Sequence, residues 1–179
     1  MKPAIALAIS WASAAAFASN TITIDDIPKI KSVIQTAVSP DGDHVAFTRS
    51  APRKLYIDEN GSNYSELYLI DDKGNERPFI TGKVSVSNIQ WSADGEYIYF
   101  ATKKKDDKFR SLYRIAASGG EAQKVLALKG TSVSSYKLSP NGKHVALLAM
   151  PAKEKSAKEL TKLGFKAEVY ELGLKNKQL

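Results

Sequence analysis

The sequence predicts an all-β protein: a partial β-propeller of three four-stranded antiparallel blades, the last incomplete, with one short helix in a loop. Three observations lead there. A nine-residue element returns, as SPDGDHVAF (Ser39 to Phe47), SADGEYIYF (Ser92 to Phe100) and SPNGKHVAL (Ser139 to Leu147). Each copy is followed by a second element with an apolar residue and then tyrosine at its core: ELYLIDDKGN (Glu66 to Asn75), SLYRIAASGG (Ser111 to Gly120) and EVYELGLKNK (Glu168 to Lys177). The run after each Asp-Gly or Asn-Gly is largely apolar on both faces. The anchoring serines stand 53 and then 47 residues apart, and two elements kept in one order three times mark internal repetition.

Each repeat resolves into four strands. The first precedes the serine: Val33 to Val38, Val86 to Trp91 and Val133 to Leu138. The Asp-Gly or Asn-Gly pair then turns the chain, because Asp and Asn bond locally to the backbone and glycine takes positive φ without steric cost. The second strand is the β-branched and aromatic run: His44 to Thr48, Tyr97 to Thr102 and His144 to Ala149. The third carries Tyr68, Tyr113 or Tyr170. A second tight turn (Asp72 to Asn75, Ser118 to Gly120, Lys175-Asn176) leads to a fourth, such as Arg77 to Ile80 or Gln123 to Leu128. The blades so defined cover about 33–80, 86–128 and 133–179, and Gln178-Leu179 falls where the last fourth strand should begin.

The second strands explain why such units stack. One face holds Val45 and Phe47, Ile98 and Phe100, Val145 and Leu147; the other holds Ala46, Tyr99 and Ala146. A sheet with one wet face alternates apolar and polar, so these sheets require cover on both sides. Neighbouring blades supply it. A β-sandwich of the same strands is the alternative, although a sandwich has no need of internal repetition. Closed propellers take about 4 to 8 blades, so three units make an arc, the expected N-terminal fragment of a longer protein.

Connections divide by rim. First-to-second turns are uniformly tight, whereas the second-to-third connections are long: Ala51 to Ser65, Lys103 to Arg110 and Pro151 to Lys166. Long loops gathered on one rim are the expected contact with a substrate or partner. In the last of them, Ser156 and Glu159 have capping-box spacing, Leu160 and Leu163 share a face, and Gly164 is placed to end a short helix.

The first eighteen residues read as a signal peptide. Lys2 gives a positive start, Ala4 to Phe17 is nearly all small and apolar, and Ala16-Phe17-Ala18 fits a cleavage site. The apolar run is shorter than the ~20 residues that span a bilayer, so no stable membrane insertion is expected after cleavage, a retained anchor being the alternative. The mature protein, 19–179, is expected outside the cytoplasm, periplasmic or secreted. With no cysteine, it must rely on burial and strand pairing rather than disulfides. The net charge of +7 is scattered, and the basic run Lys103-Lys104-Lys105 is followed at once by Asp106-Asp107, so no nucleic-acid partner is expected.

Candidate metal residues fare poorly against architecture. His44 and His144 occupy one repeat position, five residues after the serine, which would set them on different blades and makes them polar strand starts. Asp58-Glu59-Asn60-Gly61-Ser62 alternates oxygen ligands, yet its glycine comes fourth rather than sixth and no bidentate Glu follows at the twelfth position, Leu69. It reads as a hairpin tip. No catalytic, cofactor-binding or metal residue is assigned, and no cofactor.

The SPDGxxVAF element with LYxID following resembles the blade repeat of TolB-type propellers, a WD40-like repeat that also builds the N-terminal propeller of prolyl-oligopeptidase-family serine peptidases. The stretches 48–82 and 153–171, with their long excursions, resemble early blades of secreted dipeptidyl- and acylaminoacyl-peptidase-like members. The resemblance implies a propeller that gates and selects peptide substrates for a hydrolase domain. That domain's Gly-x-Ser-x-Gly elbow is absent from this sequence, so hydrolysis by this polypeptide alone is not expected. The alternative is a TolB-like periplasmic protein-binding propeller.

Overall fold

A computed structural model describes Thr23, Asp26 and residues 30–54, 56–150 and 163–164. The chain divides into two units, Met1–Ile30 and Lys31–Leu179. In the first, the Thr23 amide and hydroxyl both donate to the Asp26 carboxylate, at 2.9 and 2.8 Å. All that follows concerns the second.

Among the described residues, ten strands form three antiparallel sheets. The first sheet runs in chain order through β1 (Val33–Val38), β2 (His44–Ala51), β3 (Tyr64–Asp71) and β4 (Glu76–Ile80). The second repeats the pattern with β5 (Ser87–Trp91), β6 (Tyr97–Thr102), β7 (Ser111–Ala116) and β8 (Gln123–Leu126). The third pairs β9 (Val133–Leu138) with β10 (Val145–Ala149). The all-β, repeated four-strand architecture is the one the turns and tyrosines predict. His144 lies outside β10, its backbone still engaged with the turn serine. The expected strand around Tyr170 and the helix from Ser156 fall outside the described residues; of that segment, Leu163 and Gly164 form a turn, with Gly164 at φ +90°.

Alternation along the strands distributes the core between sheets. Ala46, Leu67 and Leu69 leave the first sheet on one face and meet Trp91, Ile98, Phe100, Tyr113 and Ile115 of the second. The second sheet's opposite face, with Ala101 and Leu112, meets Tyr136, Leu138, Val145 and Leu147 of the third. One face of β6 thus looks back and the other forward, which is why Tyr97 to Ala101 are aromatic or aliphatic on both faces. Phe100, Leu67, Leu69, Ile98 and Leu112 are fully buried, and each such side chain is worth about 1.5–3 kcal/mol.

The first strand of each repeat is tied to its neighbour by side chain to backbone bonds. The Asn88 amide donates to Gln35 Oε1 (2.8 Å), and Asn88 Nδ2 donates to the Ser134 carbonyl (2.9 Å). Asn88 takes φ +54° at a register shift in β5. An asparagine tolerates that left-handed backbone, and the bulge turns its amide toward the third sheet. Trp91 Nε1 donates to the Ala37 carbonyl at 2.8 Å. The Leu138 amide donates to Gln90 Oε1 at 3.1 Å.

Candidate functional site

The recurring turn is a closed hydrogen-bonding unit. In all three copies the serine Oγ accepts the amide five residues on, from His44, Tyr97 and His144, at 2.9 Å. The same hydroxyl donates to Asp41 (2.5 Å), Asp94 (2.5 Å) or Asn141 (2.7 Å). This donation, joined by a backbone amide, holds the Asp41 and Asp94 carboxyls below the usual range. Gly42, Gly95 and Gly142 take φ +85°, +74° and +68°, closing the turns. The histidines are therefore placed by their backbone amides. His44 and His144 begin the second segments of different sheets, and no group of three His, Cys, Asp or Glu suited to a metal occurs among the described residues.

Of the long connections, two are described, and each is built around one charged hub. In the loop 52–63, the Arg53 guanidinium donates to the Ser62 carbonyl (2.7 Å), the Glu59 carbonyl (3.0 Å) and Tyr64 Oη (3.1 Å) and lies over the Tyr64 ring. Asp58 accepts the Lys54 amide (2.8 Å) and pairs with Lys83 (2.6 Å), so its oxygens serve the loop's own structure. Lys83 foremost, with the Lys54 amide, keeps its carboxyl below the ordinary value. At the tip, Tyr56 at φ +63° and Ile57 are both exposed.

The loop 103–110 is anchored by Asp107, whose side chain is buried. It accepts a 2.5 Å bond from the Tyr113 hydroxyl and a 3.2 Å bond from the Lys104 amide, and it pairs with Lys124. Burial pushes the carboxyl up, but Lys124, the Tyr113 hydroxyl and the Lys104 amide outweigh it and hold Asp107 below the usual range. Burial and the neighbouring carboxylate push the Tyr113 phenol up to about 12. The basic run Lys103-Lys104-Lys105 is partly spent on this anchor, since Lys104 Nζ donates to the Ala122 carbonyl at 3.0 Å. The first sheet carries a counterpart: Tyr68 donates to Glu66 at 2.7 Å, stacks on Phe47 at 5.6 Å and lies under Arg49.

A cleft of about 560 Å³ opens on the opposite rim, between the second and third tight turns. Its floor and walls are Trp91, Tyr97, Tyr99 and Arg114 on one side and Leu138 to Gly142 on the other. Arg114 lies 4.5 Å from the Tyr97 ring centroid. The sequence marks these residues only as turn and strand positions. What sets this cleft apart from the first seam is a difference between repeats. At the residue before the serine, the second repeat has Trp91 and the third Leu138. Trp91 reaches across the first seam to Ala37, and a Cβ on Gly95 would lie 3.6 Å from Pro40 Cδ, so those two turns pack together. A Cβ on Gly142 would meet nothing within 4 Å.

No curated protein matches the chain. Among solved structures it is similar to a TolB protein of Agrobacterium tumefaciens, at 21% identity and a TM-score of 0.52, over 69% of this chain and 40% of that one. It is also similar to the acylaminoacyl peptidase of Pyrococcus horikoshii, at 14% identity and a TM-score of 0.56, over 72% of this chain and 19% of that one. The likeness to both is one of fold, and the chain spans less than half the length of either. The family model of the dipeptidyl peptidase IV (DPP IV) N-terminal region matches residues 42–149, from the glycine of the first tight turn to the end of β10. This chain belongs to that family.

Proposed function

We propose that this chain is the non-catalytic propeller part of an exported serine peptidase of the prolyl-oligopeptidase kind, where it gates access to a hydrolase domain and selects peptide substrates. The observation that carries the reading is the family match over residues 42–149. Two features support it. The sequence holds no Gly-x-Ser-x-Gly elbow, so on this reading the chemistry falls to another domain. Loops 52–63 and 103–110 gather on one rim, and Arg53 and Asp107 brace them, as an edge that excludes oversized substrates requires. Export rests on Lys2, the apolar run to Phe17 and the Ala16-Phe17-Ala18 site.

The deciding experiment reads the coding DNA past Leu179. Further blades and a hydrolase domain bearing the elbow are expected; blades followed by a stop would overturn the peptidase reading. In that full-length enzyme, shortening both loops to tight turns should raise kcat/KM for long peptides relative to short ones, and an unchanged ratio would remove the gating role. N-terminal sequencing of the exported protein should begin at Ser19; a sequence beginning at Met1 would exclude cleavage. The second reading, a TolB-like binding propeller, is favoured by the cleft on the other rim, which is remote from the long loops.

A further inference from the structure

We propose that the cleft between the second and third tight turns is a docking site for a polypeptide segment that inserts one aromatic side chain and carries an acidic residue beside it. The argument starts from the chain's own seams. In the first seam, the indole of Trp91 is buried against the preceding sheet and its Nε1 donates to the Ala37 carbonyl. The stack thus already accepts an aromatic side chain at this place, held by a backbone oxygen. In the second seam the same position is Leu138, half-buried, and Tyr99 returns part of the missing bulk from the facing strand, where the first sheet has Ala46. The exchange is incomplete, and a hollow of about 560 Å³ remains, within the range of pockets that hold a large side chain with its flanking backbone.

The lining selects the occupant. Tyr97 and Tyr99 are half-buried and line the hollow, and such amphipathic rings hold aromatic groups by offset stacking. Arg114, stacked on Tyr97 and only weakly engaged with Gln123 Oε1 at 3.4 Å, is the one cation lining the hollow among the described residues. A guanidinium already held over a ring is placed to grip a carboxylate with two parallel bonds. Asp94 on the turn bonds Ser92 and the Glu96 amide rather than Arg114. The cleft is lined wholly by residues 90–142 of this chain, so binding there is measured without reference to the peptidase reading.

The test is isothermal titration calorimetry of the full chain with the peptides acetyl-Glu-Trp-Glu-amide, acetyl-Glu-Ala-Glu-amide and acetyl-Lys-Trp-Lys-amide, and with indole-3-acetate. Saturable binding of the first peptide alone, one per chain, is the expected result. Tight binding of indole-3-acetate without the tripeptide would overturn a polypeptide occupant, and equal binding of the alanine peptide would overturn the aromatic anchor. Leu138→Trp, which gives the second seam the indole of the first, should abolish binding. Arg114→Gln removes the cation from the cleft wall and should weaken the acidic peptide by about fivefold. If Leu138→Trp fails to fold, the Arg114→Gln comparison still decides. Equal affinity of wild type and Arg114→Gln for the acidic peptide would refute the assignment.

Discussion

Replacing Asp107 by asparagine keeps the side chain's shape and removes its charge, which isolates what the carboxylate does for the loop 103–110. Asp107 accepts from the Tyr113 hydroxyl, the Lys104 amide and Lys124 within a buried setting. A hydrogen bond to a charged group is worth about 1.5–3 kcal/mol and a neutral one about 1, so weakening the Tyr113 and Lys104 bonds costs about 2 kcal/mol in all. Lys124 is 44% exposed and rehydrates when released, so it adds little. At about 2–4 °C per kcal/mol for a domain of this size, Tm should fall by roughly 4–8 °C at pH 7. The pH dependence has a definite sign. The folded carboxyl titrates below its ordinary value, so its stabilisation is complete above about pH 4 and is lost as pH falls through the lowered value. The gap between wild type and variant should therefore narrow below about pH 4. Tyr113 behaves oppositely: raised to about 12, it gives up its contribution as pH climbs from about 10 through that value. Thermal melts of Asp107→Asn, Tyr113→Phe and the double variant, followed by circular dichroism from about pH 3 to about pH 12, measure both effects. A Tm within 1 °C of wild type at pH 7, a gap constant with pH, or strictly additive losses would refute the network.

Three further outcomes follow from the packing. Phe100→Ala empties the centre of the first seam, and urea denaturation should show a loss of about 3–5 kcal/mol; under 1 kcal/mol would mean the two sheets do not share that core. Ser39→Ala removes the acceptor for the His44 amide in a buried turn and should cost about 1 kcal/mol, while Ser39→Thr, which keeps the hydroxyl, should cost less; equal losses would deny the hydroxyl its role. Arg53→Lys breaks a planar fork that serves two carbonyls and a phenol, so limited proteolysis should cut between residues 54 and 62 faster than in wild type with Tm nearly unchanged; an unaltered rate would show that the loop holds its shape without Arg53.

The strands were legible because their signals are local. Asp-Gly and Asn-Gly at fixed distance from a serine, and alternate residues all apolar, encode turn and burial within a few positions, so β1 to β10 fall close to where the pattern puts them. The helix expected from Ser156 lies outside the described residues. The hubs were less legible. Asp58 reads in sequence as an alternating oxygen ligand, yet it is bound to Lys54 and Lys83, because a loop closes on its own partners and spacing alone does not show which. Asp107 looks like part of a surface charge run, yet it is buried, since its partners Tyr113 and Lys124 arrive from β7 and β8.

By itself, then, the sequence determined the repeat, the turn chemistry and the need for each sheet to be covered on both faces, because backbone preference and side-chain alternation act over a few residues. The tertiary structure decided which faces meet, how Asn88 and Trp91 tie the first strands together, and that one seam closes while the next stays open. A seam sums side chains from strands some 50 residues apart in sequence, and whether Trp91 against Ala46 or Leu138 against Tyr99 fills it is a matter of volume in three dimensions.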